Sequence, residues 1–424
     1  MRALPVDVHL DDERLGLVRV GALHPSFAGH RNLASSSFQY DEGYLATRGA
    51  YAISPDLPLV TGRVWMPESH ALPGAFDDAS PDEWGQRLIE ANHADRRKRD
   101  PSTPAFRGAW DHLLGVSDAS RLGALRLRST ETGQWLSSES GVANVHEIDR
   151  IVQVAARYEA DDASEDDVAY LSDIATSPGG ARPKANVRRP DGRLALAKLP
   201  HSKDGDLDLE RWEALALMLA ARVGLATPEW TLHRASEKKS VLILDRFDRA
   251  PNGGRRAYLS AASALGIGAN DLSRYTYEQF SDVVNDLSAD PRADLREMFC
   301  RIALTVLINN VDDHWRNHGF LRAPGGWRLA PVFDINPSTS TGVTASRPIS
   351  DRDDPRAREL SNLLDIADAF SLRREEGAWI IRSVARQVQT WPDIANELEI
   401  PERQRRRLAR AFDVDRIDGA LALA

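Results

Sequence analysis

Apolar and polar residues alternate along the first part of the chain. Val6, Val8 and Leu10 are separated by single polar residues. The same spacing resumes at Leu15 and Leu17 after a short polar turn. A period of two is typical of strands that bury one face, so the pattern predicts antiparallel strands at the start of the chain.

A helix is predicted to begin at about residue 80. Ser80 is a suitable N-cap, Pro81 suits the first helical position, and Glu83 completes a capping box. Trp84 then starts the apolar face of this helix. Residues 1–150 are therefore expected to form a strand-rich N-terminal subdomain that also contains helix.

Two strand-like runs and one helix follow in the middle of the chain. The runs are Leu194–Leu199 and Ser240–Leu244, and the helix between them is predicted from about Leu209 to Val223. We expect residues 151–255 to form the rest of an N-terminal lobe.

The pattern becomes almost entirely helical from about Thr276 onward. Thr276 and Gln279 form a capping box, and apolar residues recur at helical spacing from Leu295 to Val306. Residues 256–424 are expected to form a helical C-terminal lobe, which makes the fold class α+β.

Composition limits the function classes. A chain of 424 residues with 42% hydrophobic residues can fill two or three packed units. A net charge of -9 disfavours a protein that mainly coats nucleic acid, and the basic runs Arg96–Arg99 and Arg403–Arg410 are typical of solvated helix faces. The single cysteine, Cys300, excludes an internal disulfide and is expected in the core. Without a long apolar segment or a signal peptide, a soluble cytoplasmic protein is predicted.

The sharpest chemical motif is the spacing of Asp312 and Asn317, which encloses four residues and follows a helix. Kinase catalytic loops use this spacing: the Asp orients or deprotonates the attacking hydroxyl, and the Asn oxygen reaches Mg²⁺. A plain turn rich in Asp, Asn and His is an equal alternative on this spacing alone. The order of the neighbouring motifs favours the kinase interpretation, because Trp327–Asp334 is a strand-like run that ends in an acid where kinases hold Mg²⁺.

Upstream motifs occur in the order that a kinase requires. Lys198 ends an apolar run and suits the phosphate-binding lysine, while Glu213 lies in the next helix and suits its ion-pair partner. Before them, residues 176–184 form a loop whose glycines permit close backbone approach to phosphate. Its spacing fits neither the P-loop nor the dinucleotide-binding motif. Backbone groups after the run Ser240–Leu244 are suitably placed to contact adenine.

Together these segments resemble the HipA-type toxin kinases of bacterial toxin–antitoxin pairs over nearly the whole chain. The segments that carry the resemblance are Ser177–Lys184, Ala197–Pro200, Asp245–Arg249, Asn310–Asn317, Val332–Asp334, Ser80–Gly85 and Leu113–Asp118. The resemblance implies a two-lobed protein-kinase-like (phosphatidylinositol-kinase-like) fold with a strand-rich N-terminal subdomain and an all-helical C-terminal lobe.

The resemblance also implies the site and its cofactors, ATP and Mg²⁺. Asp312 would be the catalytic base, Asn317 and Asp334 the Mg²⁺ ligands, and His314 would orient the loop. The residues implied in nucleotide and metal binding are Gly179, Gly180, Ala181, Arg182, Lys184, Lys198, Glu213, Asp245, Arg246, Phe247, His314, Asn317, Phe333 and Asp334.

Regulation is implied at Ser177, which corresponds to a loop serine that is autophosphorylated in the family. The added negative charge cannot share a site with nucleotide phosphates, so the modification switches the enzyme off. The neighbouring Thr176 leaves open which hydroxyl is modified. Three features depart from the family pattern: Asp313 stands where glycine is common, Pro178 and Pro183 stiffen the loop, and Arg182 stands where an uncharged residue is common.

The implied partners are proteins and, through one of them, DNA. The substrate would be a serine or threonine of a translation component such as an aminoacyl-tRNA synthetase. A small helix-turn-helix antitoxin of HipB type would restrain the kinase and carry it to operator DNA. No membrane partner is expected.

Three other functions remain open on the sequence. A metal hydrolase is suggested by His314 and His318, four residues apart, but Trp315 stands where a zincin has its glutamate. A small-molecule phosphotransferase would share the motif of Asp312 and Asn317. An inactive kinase-fold scaffold that acts with an antitoxin on operator DNA is the third alternative.

Overall fold

The computed structural model describes residues 5–29, 32–67, 70–137, 141–176, 180–250, 253–268, 275–340, 347–353 and 358–423. The chain divides into two compact units. The first unit contains Met1–Lys203 and Ile243–Asp271, and the second contains Asp204–Leu242 and Leu272–Ala424. These bounds differ from the three parts expected from the sequence, which stay a prediction.

The strands include those predicted at the start of the chain and the runs from Leu194 and Ser240. They are β1 (Val6–Asp12), β2 (Gly16–Ala28), β3 (Asn32–Tyr40), β4 (Arg63–Trp65), β5 (Leu125–Ser129), β6 (Ala143–Asn144), β7 (Lys184–Arg188), β8 (Leu194–Lys198), β9 (Trp230–Arg234), β10 (Ser240–Asp245), β11 (Tyr258–Ser260), β12 (Gly319–Ala323) and β13 (Gly326–Leu329).

The described α-helices occur in both units. They are α1 (Glu42–Leu45), α2 (Gly74–Asp78), α3 (Glu83–Arg99), α4 (Ala109–Gly115), α5 (Ile148–Glu159), α6 (Glu165–Ile174), α7 (Leu209–Arg222), α8 (Ala261–Ala264), α9 (Tyr277–Leu287), α10 (Pro291–Leu307), α11 (Leu360–Asp365), α12 (Arg374–Val388), α13 (Trp391–Glu397), α14 (Glu402–Leu408) and α15 (Val414–Leu421). Short 3-10 turns occur at Val145–Glu147, Ser202–Asp204, Trp315–Asn317, Ala367–Phe370 and Ala409–Ala411.

The N-terminal sheet of the first unit is antiparallel, with the strand order β4-β3-β2-β1-β5. Val8, Leu10 and Phe38 are buried in its core. The pairing of β1 with β2 shifts between Val8 and His9, which marks a β-bulge. The bulge interrupts the simple alternation, and Leu17, which the pattern grouped with the apolar positions, is 52% exposed.

Helix α3 begins two residues later than the sequence pattern predicted. Asp82, not Ser80, is the N-cap, and its carboxylate accepts a hydrogen bond from the N–H of Gly85 at 2.8 Å. The hydroxyl of Ser80 donates to the carbonyl of Phe76 at 2.8 Å and so belongs to the end of α2. Asp82 caps the helix because a carboxylate is as good an N-cap as a hydroxyl and is attracted to the helix N-terminus.

A second sheet in the first unit carries the phosphate-loop candidates. Strand β6 pairs with β7 in parallel, and β7 pairs with β8 in an antiparallel hairpin. The predicted run from Leu194 is confirmed as β8. Residues 243–245 of β10 also belong to this unit, and the N–H of Arg246 donates to the carbonyl of Leu194 at 3.0 Å.

Helix α10 forms the centre of the second unit, where it packs against α9 and α12. The capping box of Thr276 and Gln279 is confirmed at the start of α9. One correction concerns the expectation of an all-helical C-terminal lobe, because β12 and β13 form an antiparallel hairpin there. A tight turn joins the two short apolar runs, so they pair with each other.

Cys300 lies on α10 and is buried, as expected for a core cysteine. Burial raises the pKa of its thiol to about 12. Within the described ranges, none of the helices combines the length and the apolar composition that crossing a lipid bilayer requires.

Candidate active site

The segment predicted as a catalytic loop directly follows α10 in the second unit. Trp315 fixes the loop to the core: it is buried, and its ring lies 5.4 Å from that of Tyr277 and 5.0 Å from that of Phe280, measured between centroids. Residues Trp315–Asn317 form a 3-10 turn. An aromatic anchor of this kind holds a loop in one conformation while its polar residues stay accessible.

Asp312 and Asn317 are joined within this loop. The side-chain Nδ2 of Asn317 donates to the backbone carbonyl of Asp312 at 2.7 Å, and its N–H donates to the carbonyl of His314 at 2.8 Å. Asn317 is buried, whereas the side chain of Asp312 is 77% exposed. Nε2 of His314 lies 4.0 Å from the Asp312 carboxylate. The loop therefore presents one carboxylate to the solvent from a hydrogen-bonded backbone.

Asp313 supports the loop from its buried side, a role that the sequence analysis did not predict. Its carboxylate is buried, accepts a hydrogen bond from Nε2 of His318 at 2.9 Å, and lies 3.6 Å from the Arg358 guanidinium. Arg358 also donates to the carbonyl of Asn310 at 2.7 Å. Burial alone would raise the pKa of Asp313, but His318 and Arg358 outweigh burial and hold it below its usual value.

The acid predicted as a metal ligand, Asp334, lies in the left-handed backbone region with a φ of 57°. Few residues other than glycine adopt this conformation, and such residues are frequent at functional sites. Asn309, immediately before the catalytic loop, has a φ of 52°. The run that leads to Asp334 is held by hydrogen bonds from the N–H of Ala330 to Gly319 and from the N–H of Val332 to Ala226, both 2.8 Å long.

A small cavity in the second unit joins these two segments. Asn317 and His318 of the loop line it together with Val332, Phe333 and Ile335. Asp334 lies between the last two of these residues in the sequence. The structure thus brings together the predicted residues Asn317 and Phe333, with Asp334 adjacent in the chain.

In the first unit, the two lysines predicted to contact phosphate are direct neighbours. Lys184 of β7 pairs with Lys198 of β8 in the antiparallel register. Residues directly opposite each other lie on the same face of a sheet, and like charges there repel. The ammonium group of Lys184 is buried in an ion pair with Asp82 and donates to the carbonyl of Gly180 at 2.9 Å.

Side-chain contacts hold the segment predicted to bind adenine, Asp245–Phe247, in place. The carboxylate of Asp245 pairs with Arg189 and Arg193. Phe247 packs against Tyr258 with the ring centroids 6.0 Å apart. These contacts hold the backbone of the segment, while the N–H of Arg246 is used by the sheet.

A buried charge cluster follows the adenine segment. Arg246 and Arg249 each donate to the carboxylate of Asp248 at 2.7 Å, and the N–H of Gly123 donates to it at 2.7 Å. Asp248 is completely buried. Burial alone would raise its pKa, but the two guanidinium groups and the hydrogen bonds outweigh burial and keep it well below the usual value.

Other predicted residues belong to different units or lie outside the described ranges. Glu213 is buried in α7 of the second unit, whereas Lys198 belongs to the first, and their ion pair stays a prediction. Ser177 and Gly179 lie outside the described residues. Ala181 is exposed and Arg182 is half-buried.

The alternative of a metal hydrolase gains no support from the histidines. Nε2 of His318 is buried against Asp313, whereas Nε2 of His314 lies near Asp312. In the part of the chain that the structure describes, no three side chains of His, Cys, Asp or Glu converge as a metal-binding group.

Comparisons with known proteins place the chain in a family. Residues 176–391 match the model of the HipA-like C-terminal domain, and residues 7–104 match that of the HipA N-terminal domain. A comparison with curated proteins gave no match.

Two solved structures are similar to this one. The first is the HipA chain of the Shewanella oneidensis MR-1 complex of HipA, HipB and operator DNA, which is 16% identical in sequence. The two structures align with a TM-score of 0.68, and the alignment covers 99% of this chain and 100% of that chain. The Helicobacter pylori proinflammatory kinase CtkA is 15% identical, with a TM-score of 0.41 over 57% of this chain and 92% of that chain. The predicted two-lobed α+β fold of HipA type is confirmed. Because the HipA-like C-terminal domain alone spans more than half of the sequence, the chain belongs to the HipA family of toxin–antitoxin proteins.

Proposed function

We propose that this protein is an ATP- and Mg²⁺-dependent kinase that phosphorylates a serine or threonine of another protein. The observation that carries the proposal is the arrangement in the second unit. The backbone carbonyl of Asp312, whose carboxylate is exposed, accepts a hydrogen bond from Asn317, and Asn317 lines a cavity together with the residues flanking Asp334. A base and two oxygen donors in this order are what phosphoryl transfer requires.

The residues present fit Mg²⁺ and ATP. The side chains of Asn317 and Asp334 offer an amide and a carboxylate oxygen, which are the donors that Mg²⁺ prefers. Mg²⁺ when bound neutralises charge on the phosphates. Lys198 and the loop at Gly180, Ala181 and Arg182 would supply positive charge and backbone N–H groups for the phosphates, with Lys184 beside them.

Each protein group has one task in the proposed reaction. Asp312 orients the substrate hydroxyl and accepts its proton as the hydroxyl oxygen bonds to the γ-phosphorus of ATP. The bond from that phosphorus to the bridging oxygen breaks, and ADP leaves with this oxygen. Asp313, His318 and Arg358 keep the loop backbone in place, so that the carboxylate of Asp312 meets the hydroxyl at a fixed position. The Asp245–Phe247 backbone would contact adenine.

The proposed partners follow from the family. A small helix-turn-helix antitoxin of HipB type would bind this chain and connect it to operator DNA, and the proposal draws on the Shewanella complex, which contains HipA, HipB and operator DNA. The proposed substrate class is a translation component, such as an aminoacyl-tRNA synthetase.

Self-phosphorylation is proposed at Ser177 and not at Thr176. Thr176 is fully buried, and its Oγ1 accepts a hydrogen bond from the N–H of Ser117 at 3.4 Å. Ser177→Ala should therefore remove the incorporated label, whereas Thr176→Val should retain it. Phosphosite mapping by mass spectrometry after incubation with ATP checks both variants, and label that persists in Ser177→Ala would contradict the assignment.

The proposed activity is tested with purified protein, labelled ATP and Mg²⁺, alone and with a bacterial lysate. Label on Ser177 and on one lysate protein would support a protein kinase and identify the target. Label on a small molecule alone would favour the small-molecule phosphotransferase. Absence of label together with absence of nucleotide binding would favour the inactive scaffold.

A further inference from the structure

Ser80–Gly85 is one of the segments that carry the resemblance to the family, but it has no part in the reaction proposed above. It forms the start of α3 in the first unit. Both described ends of the phosphate loop, residues up to Thr176 and from Gly180 onward, contact this segment or residues beside it. We call Ser80–Gly85 the anchor segment.

The end of the loop at Gly180 is held by charge. Nζ of Lys184 pairs with the carboxylate of Asp82 and also donates to the carbonyl of Gly180 at 2.9 Å. The lysine side chain is 2% exposed and that of Asp82 is 6% exposed. One turn further along α3, Arg87 donates to the carbonyl of Ala181 at 3.2 Å. The chain that leaves the loop is therefore fixed to the first two turns of α3.

The end of the loop at Thr176 is held by close packing. A Cβ atom added to Gly85 would lie 3.2 Å from Cα of Thr176 and 2.9 Å from Cβ of Pro81. Glycine at this position therefore lets the backbone at Thr176 approach the helix. The hydroxyl of Thr176 also accepts the hydrogen bond from Ser117 described above.

The ion pair of Asp82 and Lys184 reduces the repulsion between two neighbouring lysines. Lys184 lies directly opposite Lys198, so an uncompensated ammonium group would repel the lysine proposed to hold phosphate. A buried ammonium group is stable only with a partner that offsets its desolvation. Asp82 supplies that charge while it caps α3 through the N–H of Gly85, and the helix N-terminus favours its negative charge.

We infer that the anchor segment holds the two described ends of the phosphate loop, at Thr176 and at Gly180, in place, and that Asp82 is a positioning residue for nucleotide phosphate binding. The inference rests on the proposed function, because it assumes that the loop binds ATP. It assigns to the N-terminal subdomain a direct part in organising the nucleotide site.

The test compares Asp82→Asn, Lys184→Gln and the double variant with the wild-type chain. Glu83→Gln is the matched control, because Glu83 is an exposed carboxylate in the same first turn of α3. The KM for ATP of Asp82→Asn should rise about tenfold, with kcat little changed, because the loss is one of ground-state binding. The double variant should lose no more than either single variant, since the two residues act as a pair.

A second readout does not depend on activity. Hydrogen exchange of the nucleotide-free protein should become faster in residues 180–188 of Asp82→Asn and stay unchanged in β1 and β2. If Asp82→Asn does not fold, Gly85→Ala takes its place. The added methyl group would lie 2.9 Å from Cβ of Pro81 and 3.2 Å from Cα of Thr176, so it should push the anchor segment and the Thr176 end of the loop apart and lower the affinity for ATP. Lys184→Arg, which keeps the positive charge, should retain most of the affinity for ATP that Lys184→Gln loses.

The outcomes separate the two proposals. Wild-type protein that binds no Mg²⁺-ATP would overturn the proposed function and this inference with it. Wild-type protein that binds Mg²⁺-ATP, with affinity and exchange unchanged in Asp82→Asn and Gly85→Ala, would overturn the inference alone. A loss of affinity of the same size in Glu83→Gln would overturn it as well.

Discussion

Asp312→Asn should lower the rate of phosphate transfer by about 10²–10⁴-fold, the usual contribution of a general base. Asparagine has nearly the same shape but cannot accept the proton of the substrate hydroxyl. The side chain of Asp312 is 77% exposed, and its loop is held through backbone groups and Trp315, so the fold should be unaffected. Transfer is measured with labelled ATP, and nucleotide binding by calorimetry.

The comparison with Asp334→Asn makes the result specific. Asp334→Asn removes a proposed Mg²⁺ ligand and should weaken Mg²⁺-nucleotide binding, whereas Asp312→Asn should leave binding within about twofold of wild type. Asp365→Asn, which changes an exposed aspartate paired with Arg374, is the control for loss of a surface carboxylate. Equal and small effects of the first two variants on transfer would refute the assignment of both residues.

Asp248→Asn should lower the free energy of unfolding by about 3–5 kcal/mol, the cost of removing one partner from a buried ion pair. The variant leaves the guanidinium groups of Arg246 and Arg249 buried without their shared counter-charge. Urea unfolding followed by tryptophan fluorescence should show a lower midpoint with an unchanged slope. Asp365→Asn again serves as the control, because an exposed pair contributes about 0–1 kcal/mol.

The difference in stability between wild type and Asp248→Asn should depend on pH. The pKa of Asp248 is lower in the folded chain than in the unfolded chain, so its carboxylate stabilises the fold above the unfolded pKa, about 3.9. This stabilisation is lost as the pH falls further toward the folded pKa. The stability difference between wild type and Asp248→Asn should therefore be full at pH 7 and shrink below about pH 4. A difference that does not change with pH would argue against the charge-based explanation.

Local patterns in the sequence were sufficient for the elements that carry the candidate site. The strand predicted at Leu194–Leu199 is β8, and the helix predicted from about Leu209 to Val223 is α7. The helix before the catalytic loop is α10. Apolar periodicity and caps act over a few residues, so a single sequence shows them directly.

Contacts between distant residues could not be predicted in the same way. Asp82 and Lys184 are 102 residues apart, and nothing local to either shows that they pair. Arg358 donates to Asn310 from 48 residues away. The exposure of Leu17 could not be predicted for a similar reason, because it depends on the register of β1 and β2, in which Leu17 lies opposite Asp11.

Asp313 was recognised from the sequence as unusual, but its structural role could not be predicted. A carboxylate in place of the common glycine was visible as a departure from the family pattern. Its partners, His318 and Arg358, give the departure a physical explanation, since together they neutralise the buried charge.

Alkylation of Cys300 can report on the opening of α10. It is the single thiol of the sequence, and its raised pKa of about 12 keeps it protonated and unreactive at neutral pH while it is buried. Because it lies on α10, the helix that leads into the catalytic loop, an alkylating reagent reaches it only when that helix opens. The rate of alkylation therefore measures how often the support of the catalytic loop opens in the otherwise native protein.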